Sequence, residues 1–150
     1  MSTDGQRAGM EMPLVKRHLT IGWWGLLLFL GLGVALEGMH GFKARWYLDV
    51  PNQTRRLMLT LAHAHGTLLS LVHIGYAVTV YMQQLPENAR QRMASKLLIG
   101  ATIFLPGGFF AGGLFIWGGD PGLGIILVPI GALLLAFSVA LTAVGLRRTE

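Results

Sequence analysis

The chain has 150 residues, of which 53% are hydrophobic and only 13% are charged, and its mean hydropathy is +0.55. Soluble domains carry about 25% charged residues, so this chain has too little charge to cover a water-exposed surface. The absence of cysteine excludes disulfides and thiol chemistry. The net charge of +5 comes from basic residues that flank apolar runs, as in membrane loops, so we predict no nucleic-acid partner.

Four apolar segments are long enough to cross a bilayer, which takes roughly 20 residues in a helix. They cover residues 19–40, 57–82, 97–117 and 122–146. Inside lipid each backbone polar group needs an internal partner, which favours helices over isolated strands. The predicted fold class is therefore all-α: an integral membrane bundle of four antiparallel transmembrane helices. It occupies residues 16–150 as one domain, preceded by a mobile polar tail over residues 1–15.

The Lys and Arg residues predict the orientation. With four spans, both termini and the 83–96 loop share one side of the membrane. That side carries eight basic residues, which are Arg7, Lys16, Arg17, Arg90, Arg92, Lys96, Arg147 and Arg148. The opposite side carries four, which are Lys43, Arg45, Arg55 and Arg56. The positive-inside rule then places both termini in the cytoplasm.

Glycine and proline mark the third and fourth predicted helices. Gly108 and Gly112 have the G-x-x-x-G spacing that lets two helix backbones approach closely, so we predict helix packing there. Pro106 and Pro129 each remove a backbone donor and are expected to kink their helices.

The shortest predicted connection, residues 117–122, reads as a tight turn between the third and fourth helices. Asp120 is expected to cap the fourth helix, with Pro121 at its first position. These two helices are therefore predicted to form an antiparallel hairpin.

The second predicted helix carries a polar stripe. At 100° per residue, His63 and His73 lie about 80° apart around the helix axis, and Ser70 lies between them. Thr60 and Thr67 flank this arc. The stripe consists of Thr60, His63, Thr67, Ser70 and His73. Because lipid offers no hydrogen-bond partner, we expect the stripe to face the interior of the bundle. His65 lies on the opposite face of the same helix.

A second polar cluster ends the first predicted helix. Glu37 and His40 are three residues apart and therefore share a helix face. In the predicted topology this end lies on the same membrane side as the start of the second helix. We therefore expect Glu37, His40 and His63 to converge near the non-cytoplasmic side.

Three interpretations of this cluster remain open. The first is a buried His/Glu hydrogen-bond network between helices one and two, with Glu37 paired to His40, Arg55 or Arg56. The second is a haem or metal site, with cofactor candidates Glu37, His40, His63 and His65 and metal candidates Glu37, His40 and His63. The third is a conduit for a small solute or a proton, formed by an oligomer.

The layout resembles a family of small four-span inner-membrane proteins, the YgdD-like family, whose activity is not established. The residues that carry the resemblance are Gly38-Met39-His40-Gly41-Phe42-Lys43, the histidines of the second helix, and Val128-Pro129-Ile130-Gly131. The resemblance implies the four-span fold and a bacterial inner (plasma) membrane. A weaker resemblance links Ala62-His63-Ala64-His65-Gly66 to the haem-ligating helices of haem–copper oxidase subunits, which keeps the haem interpretation open.

Motifs for an enzyme are absent from the sequence, since it has neither a P-loop nor a G-x-S-x-G motif. We therefore predict an integral membrane protein with a structural or accessory role. A homo-oligomer or a larger membrane complex is its expected partner. The alternatives are a haem- or metal-binding redox component and a small-solute or proton conductor.

Overall fold

The computed structural model describes residues 13–48, 53–83 and 88–147. Over these ranges the chain is all-α, with helices α1 (Pro13–Gly41), α2 (Thr54–Met82), α3 (Ala89–Leu114) and α4 (Leu127–Leu146). A short 3₁₀ segment, Leu123–Ile126, leads directly into α4. Four helical segments are long and apolar enough to cross a membrane, the last being Leu123–Leu146. This confirms the all-α class and the four membrane-length helices.

Three helices begin earlier than the sequence predicts, α2 by three residues at Thr54. The first begins at Pro13, because proline is preorganised for a first helical position and Leu14 is buried. Residues 13–15 of the predicted tail are therefore helical, and residues 1–12 lie outside the described part. Helix α3 begins at Ala89, because the side chain of Asn88 accepts a hydrogen bond from the backbone N–H of Gln91.

Consecutive helices pack against each other, with α2 and α3 in the middle, α1 against α2 and α4 against α3. Within the described residues α1 and α4 share no extensive contact, so the helices form an open row. The main hydrophobic core lies between α2 and α3. Its buried members are Leu69, Tyr76, Val80, Ala94, Leu98 and Leu105.

Small residues bring α1 and α2 together. A Cβ added to Gly22 would lie 2.9 Å from the Ser70 carbonyl oxygen, and one added to Gly33 would lie 2.8 Å from Nδ1 of His63. The ring of Phe29 occupies the space beside Gly66. As the residue numbers increase along α1, the numbers of the residues that they contact on α2 therefore decrease.

The 117–122 turn differs from its predicted form. Trp117 and Asp120 exchange two backbone hydrogen bonds, and both intervening glycines have positive φ. The fourth span begins with the 3₁₀ segment after Gly122, without a side-chain cap. The prediction that Asp120 caps this helix is wrong, because the backbone of Asp120 is held in the turn. Pro129 lies in the first turn of α4, where its missing N–H disrupts no helical bond.

Candidate functional site

Two histidines meet in the interior of the molecule. His18 of α1 and His73 of α2 are both fully buried, and their Nδ1 atoms are 2.6 Å apart. A contact of this length between two ring nitrogens requires that one carries a proton and the other accepts it. The rings are stacked with their centroids 4.8 Å apart.

Hydroxyl groups of α3 hold the far sides of both rings. Nε2 of His18 lies 2.8 Å from Oγ of Ser95, and Nε2 of His73 lies 2.9 Å from Oγ1 of Thr102. The chain Ser95–His18–His73–Thr102, which we call the histidine chain, therefore links three helices. All four nitrogens of the two rings have a hydrogen-bond partner.

The hydroxyl of Thr102 sets the direction of the histidine chain. It donates its only proton to the Leu98 carbonyl oxygen at 2.9 Å, so it must accept from Nε2–H of His73. For neutral rings, Nδ1 of His73 is then an acceptor, and His18 donates through Nδ1–H. Nε2 of His18 is left to accept from Ser95. Both rings thus have a defined tautomer.

Aromatic and amide groups cover one side of the histidine chain. The ring of Tyr76 lies 4.5 Å from that of His18 between centroids. The Tyr76 hydroxyl donates to the carbonyl oxygen of Gln91 at 3.0 Å, with the side-chain oxygen of Gln91 3.1 Å away. The polar interior is therefore closed off by buried groups of α2 and α3.

His18 lies outside both predicted polar clusters, because it precedes the first predicted span and follows Lys16 and Arg17. A usable signal was its spacing. His18, Gly22 and Gly25 are four and three residues apart and lie on one helix face. Both glycines approach α2 at Ser70, so the same face brings His18 to α2.

The predicted polar stripe on α2 does not form one continuous surface. His63, Ser70 and His73 face α1, but the ring of Phe29 packs against Gly66 and lies between His63 and Ser70. Ser70 donates to the carbonyl oxygen of Gly66 at 2.7 Å. The stripe is thus divided into two polar sites.

The two threonines of the stripe lie apart from the histidine chain. Thr60 is exposed. Thr67 has a buried hydroxyl oxygen without a hydrogen-bond partner in the described residues.

His65 faces a different helix from His63. Its Nδ1 donates to the Leu61 carbonyl oxygen at 2.8 Å, and its ring lies 4.8 Å from that of Phe109 on α3. Since His63 faces α1, the two histidines of the His-x-His motif cannot present nitrogens to one ligand from these positions.

Glu37, His40 and His63 line one cavity of about 550 Å³ between α1 and α2, which we call the Glu37 cavity. Glu37 and His40 lie near the C-terminal end of α1, and both are exposed. They therefore belong to no buried network. Only His63 is partly buried, with Nδ1–H donating to the Phe29 carbonyl oxygen at 2.7 Å. Among the described residues no three His, Asp or Glu side chains are grouped closely enough to hold a metal ion.

The expected pairing of Glu37 with an arginine is wrong. Arg55 donates to the carbonyl oxygens of Trp46 at 2.8 Å and Gly113 at 3.3 Å, and it stacks on the Trp46 ring. Arg56 donates to the side chain of Gln53 at 2.9 Å. Arg55 therefore ties the 42–48 segment to the end of α3, and Glu37 forms no ion pair within the described ranges.

The predicted packing glycines of α3 face the segment that starts α4. A Cβ on Gly108 would lie 2.9 Å from the Gly124 carbonyl oxygen, whereas a Cβ on Gly112 would have its nearest neighbour at 3.6 Å.

The fold and these sites define an all-α protein with four helices of membrane-spanning length. No protein-family model, curated protein or solved structure matches the chain, so the resemblances drawn from its motifs stay predictions.

Proposed function

We propose that the chain is an integral protein of a bacterial inner membrane, with four antiparallel helices and both termini in the cytoplasm. The opposite running of contacting residues along α1 and α2 supports the antiparallel arrangement. Eight basic residues against four support the orientation. A reporter fused after Glu150 tests it: activity only on the outer face would reverse the assignment.

Its proposed role is structural or accessory and non-enzymatic, with the histidine chain holding α1 against α2 and α3. The observation that carries this proposal is the occupancy of all four ring nitrogens of His18 and His73 by protein partners. Interhelical hydrogen bonds in membranes contribute on the order of 1 kcal/mol each and fix helix register. A haem or metal bound at this pair would have to displace one of these hydrogen bonds.

A homo-oligomer or a larger membrane complex is the proposed partner. In the first span and in the last span, only 11% of the residues in the most apolar 18-residue stretch are buried. These two flanks present apolar side chains to lipid or to another transmembrane helix. Cross-linking in native membranes tests this, and a monomer at every cross-linker concentration would contradict it.

A double-mutant cycle tests the structural role. In His18→Phe or His73→Phe one imidazole stays buried without its partner, so each change should lower the free energy of unfolding by about 1–3 kcal/mol. The double variant should lose less than the sum, because neither orphaned nitrogen remains. Strictly additive losses, measured by denaturation in detergent, would show that the pair does not act as a unit. His40→Phe, at an exposed position, is the matched control.

Proton conduction is the second candidate, and the reversibility of the histidine chain favours it. If both hydroxyls rotate, each ring can adopt the opposite tautomer, and the chain then runs from Thr102 to Ser95. Phe29 lies between the histidine chain and His63. In proteoliposomes Phe29→Ala should raise a proton flux that His73→Leu abolishes. If neither the unchanged protein nor Phe29→Ala carries more proton flux than empty liposomes, this candidate is rejected.

A further inference from the structure

The Glu37 cavity lies apart from the histidine chain, between the last turns of α1 and the first turns of α2. Its polar members are Glu37, His40, Thr60, His63 and Tyr47. Its remaining wall is aliphatic and includes Leu30 and Val34. Cavities that combine a mostly apolar wall with a few convergent polar groups are typical of sites for small amphipathic molecules.

His63 presents a hydrogen-bond acceptor to this cavity. Its Nδ1 proton is donated to the Phe29 carbonyl oxygen at 2.7 Å, so in the neutral ring Nε2 carries a lone pair. Gly33 is needed for this placement, because a Cβ there would lie 2.5 Å from Cε1 of the ring. The fixed Nδ1–H bond therefore orients the imidazole as an acceptor.

Glu37 supplies a second acceptor one helical turn beyond Gly33. Its carboxylate has no hydrogen bond or ion pair among the described residues, and it is exposed within the cavity wall. An ionised carboxylate accepts hydrogen bonds only. The cavity thus offers a lone pair and a carboxylate to a ligand that donates.

The charges around the cavity are mixed, because the Glu37 carboxylate lines the cavity and Arg56 lines the neighbouring groove. A second groove shares Tyr47 and Thr60 with the cavity and is lined by Arg56, whose guanidinium donates to the Gln53 side chain. The described part of the chain also has no three-residue group suited to a metal ion. A neutral donor avoids repulsion by Arg56 and still satisfies both acceptors.

The aliphatic wall indicates how such a ligand would arrive. Leu30 is 52% exposed and Val34 74% exposed, so the cavity opens along the outer face of α1. In the proposed membrane location this face meets lipid. A molecule that partitions into the bilayer can therefore reach the acceptors without crossing water.

We propose that the Glu37 cavity binds the head of a membrane-soluble phenol of the hydroquinone type. Its hydroxyls donate to Nε2 of His63 and to the carboxylate of Glu37, and the ring lies against the aliphatic wall. This binding site is separate from the histidine chain and does not depend on the structural role assigned to that chain.

Binding measurements on the full chain in lipid nanodiscs test the site. The probe is a short-tailed alkyl hydroquinone under anaerobic conditions, followed by calorimetry. Its dimethyl ether has the same apolar body without donors, and an alkylamine of equal tail length is the cationic comparison. The hydroquinone should bind about tenfold or more tightly than its dimethyl ether, because the ether has no hydroxyl to donate.

Variants locate the site. Glu37→Leu should weaken hydroquinone binding about tenfold, and Glu37→Gln, which keeps one acceptor oxygen, should weaken it less. His63→Phe should also weaken binding, whereas His65→Phe, which alters the face toward α3, should not. Equal binding of the dimethyl ether, tighter binding of the amine, or no effect of Glu37→Leu would each overturn the proposal. Glu37 is exposed, so its variants test the site even if His63→Phe fails to fold.

Discussion

Nδ1 of His18 and Nδ1 of His73 lie 2.6 Å apart, so the two rings share a single hydrogen-bonding proton. The hydroxyl of Thr102 decides which ring owns it, because that hydroxyl already donates to Leu98. His18 is therefore protonated on Nδ1, and His73 is protonated on Nε2. Replacing the Thr102 hydroxyl should therefore change the tautomers of both rings.

Thr102→Val should reverse both tautomers. Without the threonine oxygen, a proton on Nε2 of His73 has no acceptor, so it is better placed on Nδ1 and donated to His18. Nε2–H of His18 then donates to Oγ of Ser95, which lies 2.8 Å away. Nitrogen-15 NMR of the labelled histidines distinguishes the two protonated positions.

Ser95→Ala is the matched control for this reversal. It removes a donor to His18 but leaves Thr102 in place, so the tautomers of the unchanged protein should persist. The same tautomers in Thr102→Val as in the unchanged protein would show that the threonine does not set the direction.

The fold was predictable to the extent that it depends on hydrophobicity. Runs of about 20 apolar residues identify the spans, since few other structures satisfy the backbone inside lipid. The helix ends were less predictable. Ala89 starts α3 because Asn88 caps it, and the charged residues of that first turn resemble a loop when read by hydropathy alone.

The candidate sites were predictable only in part. His63 was expected near Glu37 and His40, and the three line one cavity. The partner of His73 was missed, because His18 precedes the first apolar run and only its helical spacing to Gly22 and Gly25 places it on the face toward α2. Ser95 and Thr102 on α3 were missed as well, since their alignment with the two rings depends on how three helices pack.

Gly108→Ala should destabilise the contact between α3 and the start of α4. The added methyl would lie 2.9 Å from the Gly124 carbonyl oxygen, a backbone atom that cannot move without shifting the 3₁₀ segment. Overpacking of this kind costs about 1–3 kcal/mol. The measurement is the denaturation midpoint in detergent.

Gly112→Ala provides the comparison for Gly108→Ala. Its methyl would meet its nearest neighbour at 3.6 Å, an ordinary contact distance, so the gain in helix propensity should dominate. An equal loss of stability in both variants would mean that the two glycines of the G-x-x-x-G motif pack alike.

Arg55→Lys should loosen the connection between the 42–48 segment and α3. An ammonium group cannot reproduce the guanidinium's two carbonyl contacts together with its stacking 4.6 Å from the centre of the Trp46 ring. We expect a loss of about 1 kcal/mol and a change in tryptophan fluorescence. Arg56→Lys is the control, because Arg56 bonds to the neighbouring Gln53 side chain. A larger effect of Arg56→Lys would contradict this assignment.

Gly66→Ala should separate α1 from α2 at the point that divides the two polar sites. The ring of Phe29 fills the space that the new methyl would enter, so either the ring or the helix must shift. A loss of about 1–3 kcal/mol in unfolding free energy is expected. Gly75→Ala lies on the same helix with nothing within 4 Å of the new Cβ, and it should be neutral or slightly stabilising. Adding Phe29→Leu to Gly66→Ala should restore part of the loss, since a smaller side chain makes room for the methyl. If the second change only deepens the loss, the ring of Phe29 is not what restricts residue 66 to glycine.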